Sequence, residues 1–171
     1  MTASAMEKIY HHYSGPVFRY FYRMGGDYNL AEELTQETFY RVLVSLKRYR
    51  GESTLSTWLF RIAFHVYTVN LRSHFRSRCL PLDQDIPDMG RFGDPVRSLE
   101  KAENHQLISL ALQQLPAGYR TVIVLRIFEG LSFEEIGAVL NKSPSTTRVA
   151  LSRARQRYRQ VYNQLANGYS D

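Results

Sequence analysis

The chain has 171 residues, 44% apolar by the broad count and 13% aromatic, which is enough to pack a core and too much for a wholly disordered polymer. Lys and Arg number 22 against 16 acids, for a formal charge of +6 and an isoelectric point near 9.5, so a polyanionic partner is favoured over an acidic one. A single cysteine, Cys79, excludes an intrachain disulfide and any thiolate cluster, and with no ~20-residue apolar run and no leader pattern a soluble, cytoplasmic chain is expected.

Apolar spacing predicts helices throughout. Ile9, Tyr13, Val17, Phe21 and Met24 mark a first helix, bent at Gly15-Pro16. The other aromatics of this segment, Tyr10, Phe18, Tyr20 and Tyr22, are expected to serve packing. Asp27 or Asn29 caps a second helix running to about Lys47, with Leu30, Leu34, Val42 and Leu46 on one face. A third, from about Thr54 to Arg76, is expected to bury Leu55, Leu59, Ile62, Ala63 and Val66, and Trp58 is expected in the core.

Residues 80–95 hold three of the six prolines and many turn formers, with no sustained period, and read as a linker. Charge divides the chain in the same place: residues 1–76 carry 10 basic and 6 acidic side chains, 77–100 carry 3 and 5, and 101–171 carry 9 and 5. The predicted organisation is therefore all-α, with two small helical domains, 1–76 and 101–171, joined by a flexible acidic linker, 77–100.

In the second half, Leu107, Ile108, Ala111, Leu112 and Leu115 make an amphipathic helix that stops at Pro116. Val122, Ile123 and Leu125 suggest a short helix ended near Gly130. Ser132-Phe-Glu-Glu135 has the form of a capping box opening a helix with Ile136, Val139 and Leu140 inward, and small Gly137 and Ala138 permit close packing. Asn141-Lys142 breaks that pattern. Ser143 and Pro144 then restart it as a cap and a first helical residue.

Two capped helices around so short a turn predict a helix-turn-helix. On the second helix Thr147, Leu151, Ala154, Tyr158 and Val161 should face inward. Arg148, Ser152, Arg155 and Arg159 share the adjacent face, with Ser145, Val149, Arg153 and Gln156 beside them. Arginines among short polar side chains suit a major groove, where guanidinium reads guanine or clamps phosphate.

Several motifs in series then carry a family resemblance. Ala31-Glu-Glu-Leu-Thr-Gln-Glu-Thr-Phe-Tyr-Arg-Val42, Thr57-Trp-Leu-Phe-Arg-Ile-Ala63 with Asn70-Leu-Arg72, Leu115-Pro-Ala-Gly-Tyr-Arg120 and Ser152-Arg-Ala-Arg155 together resemble an extracytoplasmic-function (group IV) sigma factor of the sigma-70 family. The resemblance implies that Glu33, Gln36, Glu37 and Arg41 dock on the clamp helices of the largest subunit of bacterial RNA polymerase, with a further contact to the polymerase flap.

It implies also that Arg50, Gly51, Ser53 and Thr54 form the loop capturing a base of the melted −10 element. Arg61, Phe64, His65, Thr68 and Arg72 would then lie along the separated strand, and Ser145, Thr146, Arg148, Val149, Ser152, Arg153 and Arg155 would read the −35 duplex. Phe64-His65 stands where the family commonly has Arg-Asn, and Val69 where an acid is usual, so a different −10 preference is expected. An anti-sigma factor, often membrane-bound, is the implied regulator, and it would tether the protein at the inner face of the membrane.

Two other readings compete. A stand-alone helix-turn-helix regulator on operator DNA would not need the Glu/Gln face on the second helix or the basic-aromatic third helix. An enzyme is disfavoured because His11, His12, His65, His74 and His105 lack metal-ligand spacing, Cys79 lacks an evident base, and no Gly-rich phosphate loop is present. No catalytic residue, metal, cofactor or small-molecule substrate is expected.

Overall fold

The computed structural model describes residues 3–77 and 97–168. Cys79 and the linker acids Asp83, Asp85, Asp88 and Asp94 lie outside them. The described residues are helical, without strands: α1 (Ala3–Gly25), α2 (Tyr28–Ser45), α3 (Leu55–Ser77), α4 (Arg97–Gln113), α5 (Ala117–Ile123), α6 (Phe133–Leu140) and α7 (Pro144–Gly168).

In the N-terminal half α1 runs through Pro16 without interruption, and α2 packs between α1 and α3. Asp27 is the cap of α2: its carboxylate accepts from the Leu30 N–H at 2.8 Å, satisfying one orphan donor of the first turn. The helix ends at Ser45 rather than Lys47, because residues 46–48 tighten into a 3₁₀ turn. Val17, Phe21, Met24, Leu34, Val42, Leu59, Ala63 and Val66 are buried as their spacing requires, and Tyr20, Phe39, Phe60 and Tyr67 join them. Ile9, Tyr13, Leu30, Leu46, Leu55, Trp58 and Ile62 are half-buried at the rim. Tyr10 is an exception to the packing expectation, being 51% exposed while its ring meets Phe39 edge-on.

In the C-terminal half α4 ends just before Pro116, with Ala111, Leu112 and Leu115 buried. The predicted short helix divides into α5 and a π-helical turn over residues 124–128. That widening brings Val124 and Leu125 fully inward and leaves Ile127 and Phe128 exposed.

The two halves do not hold separate cores. Val124, Leu125, Leu131, Ile136 and Val139 belong to the same apolar cluster as Val17, Phe21, Leu59, Phe60 and Ala63. A second cluster of Leu112, Leu115, Val122, Ile123, Leu151 and Ala154 ties α4, α5 and α7 together.

Polar ties cross the same seam. Arg120 donates to the carbonyls of Met24, Gln113 and Leu115, the last at 2.9 Å, so one guanidinium closes the C-terminal end of α1 and the α4–α5 turn together. Burial pulls the Arg120 pKa down, opposed by the nearby Tyr67 hydroxyl. Arg23 pairs with Glu129 at 3.4 Å and lies over the Phe128 ring at 4.2 Å. Burial holds the Glu129 carboxyl above the usual carboxylate range, against the pull of Arg23.

Candidate nucleic-acid interface

The helix-turn-helix is built by local chemistry. Ser132 Oγ accepts from the Glu135 N–H at 3.1 Å, and Glu135 Oε2 accepts from the Ser132 N–H at 2.8 Å, so the capping box is complete. Asn141 ends α6 in the left-handed region at φ 54°, a conformation its short polar side chain tolerates better than most. Ser143 then caps α7 by accepting from the Thr146 N–H at 3.1 Å, and Pro144 opens the helix.

The two faces of α7 fall as the periodicity predicts. Thr147, Leu151, Ala154 and Val161 are buried and Tyr158 half-buried, while Ser145, Thr146, Arg148, Val149, Ser152, Arg153, Arg155, Gln156 and Arg159 are exposed. Arg148, Ser152, Arg155 and Gln156 line a shallow groove whose wall is Phe133 of α6. Phe133 was not among the predicted site residues. Its ring lies 4.9 Å from the Arg148 guanidinium, which lines the groove, and 4.8 Å from that of Arg126, so it packs against two cations. The available signal was its place just after the Ser132 cap, where an aromatic ring stands beside the start of the next helix.

In the loop at residues 49–54, Gly51 takes φ +74° with nothing within 4 Å of a notional Cβ, a backbone state that only glycine adopts without strain. Tyr49 donates to the Ser53 carbonyl at 2.6 Å, and its ring lies against Trp58 at 4.9 Å between centroids. Arg50 and Gly51 are exposed and Ser53 half-buried. Trp58 is half-buried against the core, with one face on Tyr49 rather than on solvent.

Arg61, His65, Thr68 and Arg72 follow at helical spacing along one strip of α3, with Phe64 half-buried alongside. Three of the predicted readers are engaged within the protein, two with α6 and one with its own helix. The Thr54 hydroxyl meets Thr57 at 2.8 Å and donates to Glu135 at 3.0 Å, and Arg61 Nε donates to the Ala138 carbonyl at 3.0 Å. Thr68 donates to the His65 carbonyl at 2.9 Å, whereas His65 and Arg72 are exposed. Hydrogen bonds to Ser132, Thr54 and Thr57, that from the Ser132 backbone foremost, hold the Glu135 carboxyl below its usual range.

On α2 stand Glu33, Gln36, Glu37 and Arg41. Glu37 accepts from Arg41 Nε at 2.6 Å, an i,i+4 pair with both side chains half-exposed, worth about 0.3–0.5 kcal/mol. These residues line a groove between α2 and α3 with Tyr40 and Val69. Tyr40 is 64% exposed, and Leu43 and Val44 lie open beyond it. Sequence reasoning named the charges and missed this apolar ground. The signal was Leu43 and Val44 themselves, out of phase with the Leu34–Val42 stripe.

Two capped helices around a short turn, the second with an exposed arginine face, define a helix-turn-helix protein, and its other half adds exposed cations along α3 and a charge-lined groove between α2 and α3. Comparison with known proteins narrows the class. Residues 9–76 match the model for sigma-70 region 2, and residues 105–157 match that for sigma-70 region 4. The chain is 35% identical over 156 residues to the ECF RNA polymerase sigma factor SigE of Mycolicibacterium smegmatis, covering 90% of this chain and 60% of that protein. It is 29% identical to the ECF sigma factor SigM of Bacillus subtilis, over 95% of this chain and 98% of that one. With the RNA polymerase sigma-H factor of Pseudomonas aeruginosa the identity is 34%, over 74% and 69% of the two chains.

Among solved structures, the sigma factor RpoE of Bartonella quintana, crystallised with the anti-sigma factor NepR, superposes with a TM-score of 0.76 at 21% identity, over 94% of this chain and 98% of that one. CnrH in complex with the cytosolic domain of CnrY gives 0.69 at 22%, over 94% and 89%. The chain belongs to the extracytoplasmic-function RNA polymerase sigma factors of the sigma-70 family.

Proposed function

We propose that the protein directs bacterial RNA polymerase to its promoters, with residues 1–76 docking on the core enzyme and holding the melted −10 strand, residues 101–171 reading the −35 duplex, and 77–100 serving as the tether. The observation that carries this reading is the open face of α7, where Arg148, Ser152 and Arg155 stand exposed around Phe133. Short side chains let the helix approach the base edges, and the guanidiniums meet guanine or phosphate.

On α3 the strip of Arg61, His65, Thr68 and Arg72, with the Gly51 loop at its head, offers cations and polar edges to an unpaired strand. Capturing a flipped base there offsets an unstacking cost of a few kcal/mol. Tethering raises the effective concentration of each weak reader once the other is bound, and the basic surface makes binding weaken steeply with salt. The chain itself performs no chemistry in this scheme. Among the described residues no group of three or more His, Cys, Asp or Glu is placed to hold a metal. Likewise no described helix is long and apolar enough to cross a membrane. A cytoplasmic site of action and control by an anti-sigma factor follow from the family, whose solved members include complexes of that kind.

Docking on the core enzyme is assigned to the α2 face, where Glu33, Gln36 and Glu37 border Tyr40 and Val69. Changing Glu37→Lys reverses the charge at its centre while removing only a surface ion pair, so the fold is expected to hold. Retention on immobilised core polymerase should weaken about tenfold or more, with the helical circular dichroism unchanged. Unaltered retention would mean that the docking face lies elsewhere.

A further inference from the structure

Phe133 is the first residue of α6, so its backbone is fixed by the completed capping box of Ser132 and Glu135. Its half-buried ring packs against the apolar cluster that joins α4, α5 and α7. Arg126 lies over that ring at 4.8 Å and is itself held, donating to the Leu131 carbonyl at 2.8 Å. A ring fixed by a helix cap, an apolar cluster and an anchored cation makes a stiff platform. Onto it comes Arg148 of α7, 4.9 Å from the ring centre.

Arg148 is exposed and has no hydrogen-bond or ion-pair partner among the described residues. Attraction to the ring uses the charge of the guanidinium and none of its N–H donors. Those donors stay open to a base edge or a phosphate. Arg155 and Arg159 line the same groove, without a ring contact among the described residues. A free arginine must give up most of its rotamer freedom when it binds, whereas one already resting on a ring gives up less.

We propose that Phe133 is a positioning residue for duplex reading: it holds the Arg148 side chain at the groove wall in the free chain, so that this arginine, unlike Arg155 or Arg159, meets DNA already placed. The inference rests on the promoter-reading function proposed above and adds to it a residue of α6 that acts through Arg148.

Phe133→Leu keeps an apolar side chain and removes the ring. Fluorescence anisotropy of the full-length chain with a labelled mixed-sequence duplex should show affinity falling about two- to fivefold, the scale of an exposed cation–π contact. Phe133→Tyr, which keeps the ring, should retain at least half of the parent affinity. The loss on Phe133→Leu should disappear when Arg148 is already alanine and persist when Arg155 is alanine instead, because only residues in contact couple. An equal loss in all three backgrounds would show a merely structural role and overturn the proposal. A second readout needs neither DNA nor a variant: in the NMR spectrum of the free chain, the Arg148 side-chain protons should be shifted upfield by the ring current of Phe133. Arg148 signals at ordinary positions would overturn the proposal even if Phe133→Leu failed to fold. A parent chain that binds no duplex fails the promoter-reading function itself, whereas duplex binding with a loss independent of Arg148 fails the role of Phe133 alone.

Discussion

Gly137→Ala is expected to destabilise the helix-turn-helix by about 1–3 kcal/mol, the usual cost of forcing an atom into a packed site, and to reduce duplex binding beyond what the stability loss explains. A Cβ at this position would stand 2.6 Å from the Lys142 carbonyl oxygen and 3.5 Å from the Pro144 nitrogen. Both are backbone atoms of the turn. They cannot swing aside as a side-chain tip would, and Asn141 already sits at φ 54°. The turn must therefore shift as a body, and α7, which starts at Pro144, shifts with it. Urea unfolding measures the first effect. Anisotropy with duplex DNA, at a temperature where the variant is still folded, measures the second. Wild-type stability in the alanine variant would show that the turn has slack.

Ile136→Ala is expected to cost more, about 2–5 kcal/mol, as for other large-to-small changes in well-packed cores. Ile136 is fully buried, and its cluster includes Val17, Leu59, Phe60 and Ala63 from the other half of the chain. The loss should therefore appear as one cooperative transition shifted down by about 5–15 °C, read alike by tryptophan fluorescence, which reports on Trp58 in α3, and by circular dichroism. Two separated transitions, with the Trp58 signal unmoved, would mean that the halves unfold independently and that the shared cluster adds little. Val149→Ala is the control: at 51% exposure it should change stability by no more than about 0.5 kcal/mol.

What could be read from the sequence was what arises within one or two turns of chain. Ser132 and Glu135, Ser143 and Pro144, and the division of α7 into a buried Thr147–Leu151–Ala154 stripe and an arginine face depend on neighbours three or four residues away, and helical periodicity exposes such neighbours directly. Boundaries drifted where competing turns intervene: α2 gives way at Ser45 to a 3₁₀ turn, and the segment after Ile123 widens into a π turn. Contacts between distant parts left no periodic trace. Nothing in Thr54, Thr57 or Arg61 announces α6 as their partner, and Arg120 reaches Met24 across 96 positions. The docking groove was half legible, since Glu33, Gln36 and Glu37 declare a charged face whereas the exposed Tyr40, Leu43 and Val44 emerge as a surface only once the core stripe is fixed.

The most direct test of the whole account is reconstituted initiation: purified chain added to core RNA polymerase on a library of promoter-length duplexes, with the transcripts sequenced. The account predicts transcripts that depend on both proteins and share two upstream elements at fixed spacing, with Arg148→Ala or Arg155→Ala relaxing the choice of the upstream one. Tight binding of the chain to duplex DNA, with no transcript that requires it, would contradict the account and identify a regulator that acts on operator DNA alone.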